Sequence, residues 1–180
     1  MHGRRLEDGP AVSGHAATRP WSPDALREGG FIGFVPIAEL SAGDVPAAQG
    51  VYAVLRASEA PPAFLGESAA GRYKGKDPTV TVDALAKKWV DDAGVLYIGR
   101  TSLGSTGRRG LQKRLGELRR FGAGEPVGHW GGRYLWQLAD RDALLVAWNA
   151  TDEDPATVES RMLKDFVAHY GALPFANLRR

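Results

Sequence analysis

Two charged side chains occupy positions that helical periodicity assigns to apolar ones. From Val158, steps of roughly 100° per residue gather Met162, Leu163, Phe166, Val167 and Tyr170 into an arc of about 180°, and Glu159 falls in its middle. Arg161, Lys164 and Asp165 point the other way. On an earlier helix Leu111, Leu115, Leu118 and Phe121 form one stripe, and Arg114 lies inside it, while Lys113, Glu117, Arg119 and Arg120 lie mostly outside. An unpaired buried carboxylate costs several kcal/mol, so Glu159 requires a partner. Either Glu159 and Arg114 form a structural ion pair, or the two helices aim their charges into a shared polar cleft. Arg108, Arg109, Lys113, Arg119 and Arg120 crowd the neighbouring loop and helix. They read either as a positive rim for an anionic partner or as a solvated helix face.

The elements that must position these groups are legible in outline. Residues 1–30 mix Gly, Pro, Arg and His without period and read as a flexible leader, so the folded domain is expected over 31–180. FIGFVPIAEL, from Phe31, has strand content, but Pro36 confines it to a sheet edge or an interrupted strand. Gly50 opens VYAVLRA, whose alternation sends Tyr52 and Val54 to one face and Val51, Ala53 and Leu55 to the other. VLYIGRT is a second strand, followed by the glycine-rich loop SLGSTGRRG and a helix beginning near Leu111. RYLWQL reads as a short helical turn and ALLVAWNA as a buried central strand. Asp154 as N-cap, Pro155 at the first helical position and Gly171 as stop predict a last helix from Pro155 to Tyr170.

Composition narrows the chemistry further. The 180 residues suffice for one domain with a sizeable core. The absence of cysteine excludes disulfides, thiolate metal sites and cysteine nucleophiles, leaving oxygen or imidazole to hold any metal. No stretch approaches the ~20 apolar residues of a membrane helix, and MHGRRLEDGP lacks a signal-peptide core, so no membrane partner and a cytoplasmic location are expected. The net charge of +2 permits a nucleic-acid partner without requiring one.

Gly50-Val51-Tyr52 and Tyr97-Ile98-Gly99, followed in order by Arg114, Glu159 and Asn177, resemble the motifs of the GIY-YIG nuclease superfamily over about residues 50 to 177. The resemblance implies an α+β fold, in which a small antiparallel sheet of about three strands is flanked by helices and brings Tyr52 and Tyr97 side by side. It implies a metal-dependent endonuclease that hydrolyses DNA phosphodiester bonds, with RNA also possible. Glu159 would hold one Mg²⁺ or Mn²⁺, Tyr52 or Tyr97 would help deprotonate the attacking water, and Arg114 would stabilise charge on the phosphate.

The residue types suit those roles. A hard cation prefers oxygen ligands and retains waters, so one protein carboxylate with phosphate oxygens suffices. A phenol of pKa near 10 is a poor base at neutral pH unless a cation lowers it, and Arg100, next to the second tripeptide, would supply that charge or hold a phosphate. Arg114 offers a planar, permanently charged fork to phosphate. Asn177 is expected to fix the cleft through backbone or tyrosine hydrogen bonds, or else to be a turn residue.

Two features depart from the family pattern. Residues 57–94 form a long insertion with its own helix, carrying Arg72, Lys74, Lys76, Lys87 and Lys88 toward DNA backbone or solvent. Where many members have a histidine one turn beyond the arginine, this chain has Leu118. His129 in the GHWGG loop is available to fold back in its place or to contact substrate, although loop histidines are usually exposed. Trp130 is a candidate base contact. A noncatalytic nucleic-acid-binding module, or a small-molecule enzyme on the same scaffold, are the competing readings. Oligomeric state is not legible.

Overall fold

In the computed structural model, which describes residues 20–178, the chain is α+β, and its sheet has four strands instead of about three. They are β1 (Ile32–Pro36), β2 (Gly50–Leu55), β3 (Val95–Thr101) and β4 (Leu145–Ala150), in the order β1-β4-β2-β3 with every pairing antiparallel. Strands β2, β3 and β4 form the expected contiguous group. The additional strand β1 lies at the edge, where Pro36 ends it and a register shift breaks its ladder between Gly33 and Val35. Gly33 has φ +96, and a Cβ there would lie 2.3 Å from the Trp148 ring, so only glycine lets β1 cross that indole.

The alternation expected in β2 is realised, and both faces of the strand are covered. Tyr52 and Val54 enter a core layer with Leu111, Leu115, Leu118 and Phe121 from α3 (Leu111–Gly122). Val51, Ala53 and Leu55 enter a second layer with Leu163 and Phe166 from α4 (Pro155–Tyr170). The central sheet therefore separates α3 from α4. Helix α4 has the anticipated bounds, with Asp154 accepting from the Ala156 and Thr157 amides and Gly171 stopping it at φ 74.

The leader assignment fails for its last third. Pro23–Glu28 forms a short helix, α1, capped by Ser22, Leu26 is buried, and Trp21 packs edge-on against Phe166 at 5.2 Å. Apolar contact with α4 orders this segment despite its lack of period, and residues 1–19 lie outside the described residues. The insertion's own helix, α2, is short and spans Val82–Ala86. Gln137 ties the insertion down: its side chain accepts from the Val80 amide and donates to the Leu65 and Val80 carbonyls. Arg72, Lys74, Lys76, Lys87 and Lys88 face solvent, and Arg72 pairs with Asp77.

Candidate active site

The β2/β3 register sets Tyr52 opposite Gly99 and Val54 opposite Tyr97, so the two phenols are diagonal neighbours on the α3 face, with ring centroids 5.9 Å apart. The glycines of the tripeptides have specific causes. A Cβ at Gly99 would lie 2.4 Å from Tyr52 Cζ, and one at Gly50 would lie 2.2 Å from the Asn149 carbonyl oxygen. The Tyr52 ring lies across the strand position that Gly99 leaves bare.

Three groups surround these phenols. Arg114, from α3, donates through Nη1 to the Gly128 carbonyl at 2.7 Å and pairs with Glu117 at 3.1 Å. His129 is fully buried and shares a 2.8 Å hydrogen bond between Nε2 and Tyr52 Oη. Its ring also stands edge-on to Tyr97, centroids 5.9 Å apart. Its Nδ1 is buried without a partner among the described residues.

Glu159 approaches from the other layer. Its charge acts on both phenols from the α4 side of the sheet. Its direct partner is Arg100, whose Nε donates to Oε2 at 2.7 Å, with the side chains 46% and 23% exposed. The alternative of a Glu159–Arg114 ion pair is thus not realised, and Glu159 pairs with Arg100. Alternation on β3 turns Arg100 toward α4 and away from Arg114, so Arg114 and not Arg100 is the cation acting on the tyrosines.

Burial dominates the electrostatics. It pushes the Tyr52 phenol up, Arg114 and Tyr97 offset this in part, and Glu159 adds to it. Burial, then the neighbouring Tyr52, holds Tyr97 well above the ordinary phenol range. Burial opposes the charge on Arg114, but Tyr52, Tyr97 and Glu117 outweigh it, and the guanidinium is more firmly protonated than usual. His129 is held well below the ordinary histidine value, first by burial and then by Arg114, so it is neutral. Burial raises the Glu159 carboxyl despite Arg100 and Arg114.

Tyr52, Tyr97 and Arg114 are therefore grouped on the α3 face, and Glu159 lies within electrostatic range of them from the α4 side. Asn177 is placed behind them: its Oδ1 accepts from the Ile98 amide at 2.9 Å and its Nδ2 donates to the Ile98 carbonyl at 2.8 Å. This two-point clamp holds β3 between Tyr97 and Gly99, the backbone role anticipated for Asn177, and it takes the side chain away from direct chemistry. His129 is likewise corrected as a substrate contact, because a side chain with no exposed surface acts only through Tyr52. The glycines flanking GHWGG were the available signal, since Gly128 presents its carbonyl to Arg114 and a Cβ at Gly131 would lie 3.2 Å from Tyr97 Oη. Arg108, Arg109 and Lys113 are exposed on the glycine loop and early α3, with no ion-pair partner among the described residues. Glu117, which sequence periodicity put mostly outside the stripe, pairs with Arg114.

Among the described residues no group of three or more His, Asp or Glu side chains is placed to hold a metal ion. A single-carboxylate site at Glu159 fits the chemistry of its neighbours. The carboxylate is partly exposed and Arg100 bonds only Oε2, which leaves Oε1 open to a cation. A cavity of about 340 Å³ between the Pro23–Glu28 helix and α4 contains none of these residues. No described helix is long and apolar enough to cross a membrane. Comparison with protein-family models, curated proteins and solved structures found no match to this chain.

Proposed function

We propose that the chain is a metal-dependent endonuclease of the GIY-YIG kind that hydrolyses phosphodiester bonds of DNA. The observation that carries this reading is that two adjacent phenols and a firmly protonated guanidinium form one cluster, with a half-buried carboxylate within electrostatic range of it. Mg²⁺ or Mn²⁺ held by Glu159 supplies Lewis-acid neutralisation of phosphate charge when bound. Arg114 stays protonated and presents its fork to the phosphate oxygens as negative charge grows there.

Of the two phenols only Tyr97 retains exposed surface, 8% against 0% for Tyr52, so Tyr97 meets the attacking water. As the water oxygen bonds to phosphorus, its proton passes to the Tyr97 oxygen and the Tyr97 hydroxyl proton passes to solvent at the exposed edge of that side chain, while the His129–Tyr52 hydrogen bond holds the second phenol in place. The P–O bond on the far side breaks, and solvent protonates the departing oxygen. His129, kept neutral by burial and by Arg114, serves as the hydrogen-bond partner of Tyr52 and not as a base.

Cleavage of plasmid and single-stranded DNA with Mg²⁺, Mn²⁺ or EDTA, run beside Glu159→Ala, tests the reading. Metal-dependent nicking that the folded variant loses is expected; equal cleavage by both proteins removes Glu159 from the mechanism. The noncatalytic nucleic-acid-binding alternative draws on the Arg100–Glu159 pair, which occupies one carboxylate oxygen. Salt-sensitive binding without cleavage is its signature.

A further inference from the structure

Arg133 is the half-buried arginine of the described residues that faces no acid. The others of similar burial, Arg56, Arg114 and Arg141, stand against Asp140, Glu117 and Asp142. The Arg133 guanidinium instead lies over two rings, 4.9 Å from the Trp130 centroid and 5.0 Å from that of Tyr134. One N–H reaches the Trp130 carbonyl at 3.5 Å, leaving most of its five donors without a protein acceptor. Burial lowers its pKa, and no carboxylate offsets that loss of hydration.

Its position gives this unpaired cation a role. Arg133 lies on Trp130–Gln137, the segment that directly follows His129 and places Gly131 against the Tyr97 hydroxyl. This segment therefore borders the site on the Tyr97 side. Arg108, Arg109 and Lys113 are exposed, whereas two rings confine the Arg133 guanidinium before anything binds.

We infer that Arg133, held against Trp130 and Tyr134, binds a backbone phosphate adjacent to the scissile one on the same nucleic-acid strand. The inference rests on the nuclease reading above. A purely structural Arg133, packed on its rings, would make no contribution to counterion release.

Binding of a short fluorescein-labelled DNA duplex, and of its single strand, is measured in EDTA across a salt series for the parent, Arg133→Met and Arg133→Lys. Methionine keeps an apolar stem on the rings and removes the charge; lysine keeps the charge. Circular dichroism establishes that each is folded. For the duplex, the slope of log Kd against log salt is expected to fall by about 0.9 in Arg133→Met, with binding about fivefold weaker near 0.15 M salt, and to be retained in Arg133→Lys. A parent that binds, beside a Met variant of unchanged slope, overturns the Arg133 assignment and leaves the nuclease reading standing. A parent that binds neither DNA overturns both.

Discussion

Tyr52 Oη and His129 Nε2 meet at 2.8 Å although the residues lie 77 positions apart and neither has exposed surface. A buried hydroxyl and a buried imidazole each need a partner, and each is the other's. Removing one leaves the remaining polar atom stranded. His129→Ala is therefore expected to cost ~1–3 kcal/mol beyond the lost packing, with a double-mutant cycle against Tyr52→Phe giving a coupling of ~1 kcal/mol. Urea unfolding of the four proteins measures it, and additive losses would detach the imidazole from Tyr52.

The same imidazole sets a pH dependence of known sign. Its folded pKa lies well below 6.5, so unfolding takes up a proton once the pH drops below about that value. Its contribution to stability is complete above the unfolded value and is lost as pH falls toward the folded one. Unfolding free energy measured between roughly pH 7.5 and pH 5 should decline less steeply in His129→Gln than in the parent. Parallel curves would mean that His129 is solvated.

Gly99→Ala places a methyl group against the Tyr52 ring, 2.4 Å from Cζ before relaxation. The obstacle is a buried aromatic ring held by His129, not the free end of a flexible chain. A loss of ~1–3 kcal/mol is expected from overpacking, together with loss of cleavage as Tyr52 is displaced. Near-ultraviolet circular dichroism, which reports ring environments, should change at the same time. An unperturbed spectrum with full stability would show that β3 yields instead.

Asn177→Leu removes a donor and an acceptor from Ile98 at once. With the Ile98 amide and carbonyl left unpaired in a buried strand, a destabilisation of ~1–3 kcal/mol per stranded group is expected. Hydrogen exchange at the Ile98 amide should accelerate selectively, by far more than at the β2/β4 ladder. Uniform exchange across the sheet would assign Asn177 to global packing alone.

Much of this architecture was readable locally. Asp154, Pro155 and Gly171 delimit α4 because caps act through neighbouring backbone, and the alternation along β2 fixed which side chains share a layer. Glu159 was conspicuous because helical phase is a property of the helix itself. Partner choice belongs to tertiary structure. Arg100 takes Glu159 because α4 packs on the face toward which β3 turns it, and periodicity within either element carries no record of that docking. His129 reaches Tyr52, and Trp21 reaches Phe166, by closing long loops whose ends have no local signal. The sequence by itself determined the elements and which residues each presents. Only the packed sheet decided which of those residues meet, because contacts between distant segments depend on how whole surfaces fit together.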